Sequence, residues 1–170
     1  MRNTVAGALL VLAAVASARA AEAPKVIKHL VVYQEPGRFG GWPANHGIWS
    51  WGNEILVGFS AAYFQKGSLD RHQVDSSKPA EPRLARSLDG GKTWTIEAPP
   101  SLLFPEQGGA AVTQLTARMN FRHPDFAMTL RMTGINRGPS RLFYSTDRGK
   151  TWSVPHPIGV DRWPICEAGC

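Results

Sequence analysis

The sequence predicts an all-β protein assembled from repeated small antiparallel sheets. Short segments rich in Val, Ile, Leu, Thr and aromatic residues alternate with Gly- and Asp-rich turns. The 170 residues include 17 Gly and 13 Pro, which suit many tight connections and do not suit a helical bundle. A motif of 12 residues also recurs at an offset of 58 positions.

Nine segments have the composition of strands and are separated by turn residues. No segment shows the spacing of a convincing amphipathic helix. The predicted strands are Val26–Tyr33, Ile48–Trp51, Ile55–Tyr63, Leu84–Ser87, Thr93–Glu97, Val112–Met119, Phe126–Met132, Leu142–Ser145 and Thr151–Val154.

The recurring motif indicates how these strands are organised. Residues 83–94 and 141–152 are identical at eight of twelve positions. A small sheet cannot bury both of its faces alone, so a repeat near 50 residues with about four strands is typical of a propeller blade. We expect about two blades, at residues 25–100 and 110–158, followed by an irregular tail at 159–170. A six-bladed propeller would need roughly 300 residues or more.

Both copies of the repeat contain the pattern Ser-x-Asp-x-Gly-x-Thr-Trp, the Asp box. Its Asp can accept hydrogen bonds from the backbone of the turn, and its Gly can adopt the positive φ of a tight hairpin. Ser and Thr satisfy further polar groups, and Trp anchors the hairpin. The competing interpretation makes the two carboxylates an acid and a base, but an active site is assembled once rather than in every blade. A structural role is therefore predicted for Ser87, Asp89, Gly91, Trp94, Ser145, Asp147, Gly149 and Trp152.

Residues 1–20 have the pattern of a signal peptide. Arg2 supplies a positive start, residues 5–15 are apolar, and Ala18-Arg19-Ala20 offers small residues at both recognition positions. We expect a secreted or periplasmic protein, residues 21–158 forming the partial propeller, with no stable membrane insertion after cleavage. The remaining 17 basic and 13 acidic residues give a net charge of +4. The basic residues are scattered, so no nucleic-acid partner is predicted.

The stretch from Tyr33-Gln34-Glu35-Pro36 through Gly40-Gly41-Trp42-Pro43 to Val57-Gly58-Phe59 resembles the opening blade of bacterial sialidase-family exo-glycosidases with BNR repeats. The resemblance extends from about residue 25 to residue 158. It implies a partial, sialidase-type six-bladed propeller from a parent that hydrolyses terminal sugars of glycoconjugates. The chain by itself is expected to be inactive, because the family's other arginines and its Tyr–Glu nucleophile pair come from later blades.

The resemblance also implies catalytic residues. In the family, an arginine from a group of three grips the substrate carboxylate, and an acidic residue ahead of the first Asp box is the general acid/base. Arg38 is the arginine near the motif, although the family spacing Arg-x-Pro would place it at Gly41. Asp75 is favoured over Asp70 as the acid/base because His72 precedes it closely. Solvated charges on a polar loop are the alternative interpretation of both acids.

Aromatic faces stack on pyranose rings, and polar side chains bond to sugar hydroxyls. On this basis substrate contacts are predicted for Trp42, Asn45, His46, His72 and Asp70. Trp49 and Trp51 share one face of a predicted strand, and packing between blades is favoured for them over ligand contact.

The remaining predictions concern partners and cofactors. No cofactor and no metal are predicted, because the sequence lacks a phosphate-binding glycine loop and clustered metal ligands. Cys166 and Cys170 could form a small-loop disulfide, but an incidental pair is favoured. The predicted partner is a carbohydrate or glycoconjugate, and the oligomeric state is left open. A non-catalytic carbohydrate- or protein-binding propeller is the alternative function, since Asp boxes support it equally.

Overall fold

The computed structural model describes residues 28–68, 70–134 and 137–158, which form two antiparallel sheets with very little helix. The all-β prediction is therefore confirmed. The predicted signal peptide and the tail 159–170, with Cys166 and Cys170, lie outside the described residues. Within the described part of the chain, no helix is long and apolar enough to cross a membrane.

The first sheet is a meander whose first strand is interrupted. Its strands are β1 (Arg38–Gly41), β2 (Ile48–Trp51), β3 (Glu54–Tyr63), β4 (Glu81–Ser87) and β5 (Thr95–Glu97). Both β1 and β2 pair with β3, β1 with its C-terminal half and β2 with its N-terminal half. The four-residue helix α1 (Pro43–His46) separates them and begins at a proline, which has no N–H to leave unpaired there.

The second sheet repeats the later part of this arrangement. It contains β6 (Ala127–Gly134), β7 (Arg137–Ser145) and β8 (His156–Ile158), in that order. Ile55 of β3 pairs with Ser87, and Ala127 of β6 pairs with Ser145, so β6, β7 and β8 correspond to β3, β4 and β5. No strand among the described residues stands where β1 and β2 stand in the first sheet.

The predicted strand Val112–Met119 is wrong, because this segment forms no strand. Its backbone is held by other partners: Thr113 N donates to Pro155 O at 2.9 Å, and Thr113 O lies 2.7 Å from Nδ1 of His156. These bonds attach the segment to the start of β8. In this segment the contacts with residues 155 and 156, rather than the local strand propensity, determine the backbone conformation.

Two further predicted strands need correction, and two short elements were not predicted. The described part of Val26–Tyr33 is not a strand, and Val32 and Tyr33 pack on the first sheet instead. Residues Thr151–Val154 are not a strand either, because Thr151 is engaged in the turn that precedes β8. The short elements β1 and α1 were not predicted, since Gly and Pro in this stretch indicate a loop.

The two sheets pack through one face each. Alternation along a strand directs Leu56 and Leu84 of the first sheet, and Phe143 of the second, into a shared core. Two one-turn 3₁₀ helices, Pro100–Leu102 and Pro105–Gln107, add Leu102 and Phe104 to this core. The partly buried Trp49, Trp51 and Trp152 pack against it.

Candidate functional site

The first Asp box is a closed turn in which every carboxylate contact is internal. Oδ1 of Asp89 accepts from the N–H groups of Lys92 and Thr93, both at 3.0 Å, and Oδ2 accepts from Thr93 Oγ1 at 2.6 Å. Ser87 Oγ donates to Asp89 and accepts from Gly91 N, each at 2.8 Å. The bonds from Thr93 hold the pKa of Asp89 well below its usual range.

The second Asp box reproduces this geometry. Asp147 accepts from the N–H groups of Lys150 and Thr151, at 3.1 and 2.9 Å, and Ser145 Oγ accepts from Gly149 N at 2.8 Å. Burial would raise the pKa of Asp147, but the bonds from Thr151 prevail and lower it to about 2. An ionised acceptor whose bonds all stay within the turn has the chemistry of a structural group rather than of an acid.

The second Asp box also binds the first sheet. Arg148 Nη1 donates to Glu54 at 2.9 Å, and Arg86 Nη1 donates to the same carboxylate at 2.8 Å. Arg86 also donates to the carbonyl oxygens of Arg148 and Gly149, at 2.9 and 3.2 Å. Arg148 replaces the Gly90 of the first box and has a φ of 61°, a left-handed conformation that is uncommon for non-glycine residues. The two Asp boxes therefore lie at one end of the packed sheets.

The predicted catalytic arginine lies at the opposite end, where β3 finishes. Nη2 of Arg38 donates to Ala61 O at 3.1 Å and lies 3.4 Å from Oε1 of Glu81. Its guanidinium carbon is 4.2 Å from the centre of the Tyr63 ring. The side chain is only 11% exposed. Arg38 is thus held by contacts within the first sheet.

Asp75, the predicted acid/base, lies beside the same tyrosine. Its N–H donates to Tyr63 O at 2.9 Å, and its carboxylate accepts from Ser77 N at 3.0 Å. Nζ of Lys78 is 3.4 Å from Asp75 and 4.8 Å from the centre of the Tyr63 ring. The bonds from Ser77 lower the pKa of Asp75, so its carboxylate is ionised. Arg38, Tyr63, Asp75, Lys78 and Glu81 together are called the charged cluster.

A second group of predicted residues forms an aromatic patch, defined as Phe39, Trp42 and His72. The ring centres of Trp42 and His72 are 5.3 Å apart, and those of Phe39 and Trp42 are 5.6 Å apart. Trp42 is half-buried and His72 is exposed. Asn45 is exposed on α1, whose first turn it joins through a bond from its N–H to Trp42 O at 3.1 Å.

His72 reaches the patch because the connection between β3 and β4 is long. Ile55 and its partner Ser87 are 32 positions apart, whereas Ala127 and Ser145 are 18 apart, so this connection is 14 residues longer than its counterpart. Gln73 bonds to Gly67 N at 2.7 Å and to Ser68 O at 2.8 Å across the loop. Asp70 lies exposed at its tip.

The charged cluster and the aromatic patch lie on opposite faces of β1. Arg38 is paired with Tyr63 and Phe39 with Ala62, and successive side chains of a strand point to opposite faces. The structure therefore connects Arg38 with Asp75 through Tyr63, and it brings the ring of Trp42 near that of His72. It separates the predicted catalytic pair from the predicted sugar-stacking residues.

His46, a predicted substrate contact, is buried between the two sheets. It is 8% exposed; its Nε2 lies 2.9 Å from Ser60 Oγ and its Nδ1 lies 3.3 Å from Thr129 Oγ1. Burial, together with the charge of Arg131, lowers its pKa to about 4. A ligand could reach His46 only by breaking one of these bonds.

Sequence reasoning missed Glu81, Tyr63, Lys78 and Phe39. Their roles depend on pairing across the sheet: Ala61 faces Glu81 in the β3–β4 register, which sets Glu81 beside Arg38. No local motif links two residues that are 43 positions apart. Within the described ranges, no three His, Cys, Asp or Glu side chains come together as metal ligands would.

Comparison with known protein families identifies the second of the two Asp boxes. Residues 143–154 match the family model of the BNR/Asp-box repeat. No curated protein and no solved structure matches the chain. The BNR/Asp-box repeat occurs in sialidases and in other proteins, so it indicates a broad family link. The chain therefore carries a BNR/Asp-box repeat within an all-β fold.

Proposed function

We propose that this chain belongs to an exported Asp-box β-propeller protein and that its aromatic patch binds carbohydrate. The observation that carries the proposal is the position of His72, which the long β3–β4 loop places against Trp42 and Phe39. An indole that is half-exposed beside polar groups suits a sugar, because the ring covers C–H groups while neighbouring donors and acceptors bind hydroxyls. The exposed His72 lies against Trp42, and the exposed Asn45, whose N–H bonds to Trp42 O, supplies an amide in the same short helix.

The fold supports the propeller part of this proposal. The first sheet has the four-strand order of a blade once β1 and β2 are counted as one interrupted strand. Both Asp boxes follow the corresponding strands, β4 and β7, and the second box packs on the first sheet. The proposal further gives this propeller six blades and makes residues 1–20 a signal peptide.

Hydrolysis of a terminal sugar is the second candidate function. It is favoured by one observation: Arg38 and Asp75, the anchor and acid/base that the family resemblance implies, both contact Tyr63, Arg38 at the ring and Asp75 at the backbone carbonyl. Asp75 is ionised in this arrangement, so it acts as a base or acceptor. It becomes a general acid only if a ligand displaces Ser77 or Lys78 and raises its pKa.

The binding proposal is tested with the full chain on an array of glycans and by titration calorimetry with its best ligand. Trp42→Ala is expected to weaken binding at least about tenfold, as loss of a stacking ring at the centre of a site does. The matched control is Phe121→Ala, which removes an aromatic side chain that is 62% exposed outside the patch. Equal affinities of Trp42→Ala and the unmodified chain would refute a site at the patch.

A further inference from the structure

We infer that the aromatic patch takes an uncharged pyranose rather than an acidic sugar, and that Arg38 does not anchor the ligand. The inference rests on the proposed carbohydrate function and specifies its substrate class. Three features of the described residues support it: the faces of β1, the pairing of the cations, and the chemistry of the patch.

The first feature is the direction of the side chains on β1. Phe39 joins Trp42 and His72 on one face, while Arg38 joins Tyr63 on the other. Strand β1 therefore lies between a sugar stacked on Trp42 and the guanidinium of Arg38. Bidentate recognition of a carboxylate requires the guanidinium and the ligand to share a face.

The second feature is that Glu81 already occupies the arginines at this end of the sheet. It forms ion pairs with Arg38 and with Arg83. The remaining cation of the cluster, Lys78, is paired with Asp75. An acidic ligand could bind the Arg38 guanidinium only by displacing Glu81. It would also have to reach a side chain of which only 11% is exposed.

The third feature is the composition of the patch. Phe39, Trp42 and His72 make their contacts through ring faces and edges, which suit the C–H groups of a pyranose and carry no fixed positive charge. The cation next to it in sequence is Arg71, which is exposed in the loop and follows the acidic, exposed Asp70. Exposed charges in such a position are screened by salt.

Matched pairs of sugars test the inference. The full chain is titrated calorimetrically with the methyl glycosides of glucose and glucuronic acid and of galactose and galacturonic acid, and with N-acetylneuraminic acid. We expect a neutral member to bind at least about tenfold more tightly than its acidic partner. Raising the salt from about 20 mM to about 500 mM should change the neutral affinity less than about threefold, because little of that binding is electrostatic.

Glu81→Gln distinguishes the role of Arg38. This variant frees the guanidinium from its carboxylate, yet the ratio of neutral to acidic affinity should stay within about threefold of the unmodified chain. Glu106→Gln, the same change on an exposed residue of the second 3₁₀ helix, is the matched control. The salt measurement needs no variant and stands if Glu81→Gln does not fold.

The outcomes separate the two proposals. Tighter binding of an acidic sugar, a strong salt dependence, or a gain in acidic affinity in Glu81→Gln would overturn the inference and leave the carbohydrate function standing. Absence of binding by every glycan tested would refute the proposed function, and the inference with it.

Discussion

The burial of His46 makes a prediction about acid stability. Its pKa falls from 6.5 to about 4 in the folded chain, chiefly because burial disfavours the charged imidazole. Arg131, which is 5% exposed, adds a second positive charge nearby. The unfolded chain therefore binds a proton at a higher pH than the folded chain. Between those two pKa values, lowering the pH favours unfolding.

The size of this effect follows from the two pKa values. At about 1.4 kcal/mol per pKa unit, the difference between 6.5 and about 4 corresponds to about 3 kcal/mol of the free energy of unfolding. This contribution is complete above pH 6.5 and is lost as the pH falls to about 4. The carboxylates with lowered pKa values, such as Asp147, lose their contribution only at still lower pH.

Urea denaturation followed by tryptophan fluorescence measures this dependence at pH 7, 6, 5 and 4.5. Between pH 7 and pH 4.5 the free energy of unfolding of the unmodified chain should fall by most of this contribution of about 3 kcal/mol. His46→Gln should be less stable at pH 7 but should show a much flatter dependence over the same range. The matched control, His72→Gln, removes an exposed imidazole and separates the effect of burial from the loss of any histidine. Equal pH slopes in the unmodified chain and in His46→Gln would refute the reasoning.

Three further predictions concern the Asp-box end of the sheets. Gly149→Ala should lower the free energy of unfolding by about 3 kcal/mol, because the φ of this residue is 73° and the new Cβ would lie 2.5 Å from a side chain of the first sheet. Gly52 has a similar φ of 67° but open space around it, so Gly52→Ala should lower the free energy of unfolding by only about 1 kcal/mol. Thermal unfolding compares the two, and equal losses would contradict the packing argument. Ser145→Ala should cost about 2 kcal/mol in urea denaturation, because it leaves the buried Gly149 N–H and the partly buried Asp147 N–H without this acceptor. The same change at the exposed Ser77 should cost much less. Glu54→Gln should lower Tm more at low salt than at high salt, because two arginines lose their shared carboxylate; a salt-independent loss would contradict this.

The sequence alone predicts the features whose partners are close along the chain. The Asp box is the clearest case, because all the bonds of Asp89 reach residues within four positions of it. The positive φ of Gly91, the all-β class and the strand Ile48–Trp51 were predicted in the same way, from local turn chemistry and composition. Local rules suffice there because the bond donors, acceptors and conformational limits all lie within one turn.

Only the tertiary structure decided which distant residues meet. The β1–β3 register placed Arg38 beside Tyr63 and Phe39 beside Ala62, and the β3–β4 register placed Glu81 beside Arg38. Packing of the two sheets buried His46, which the sequence had suggested as a ligand contact, and a bond to Pro155 kept Thr113 out of a strand. Register depends on loop length and on which face is buried, so a shift of one residue would exchange the two faces. A single sequence does not encode that choice in any local pattern.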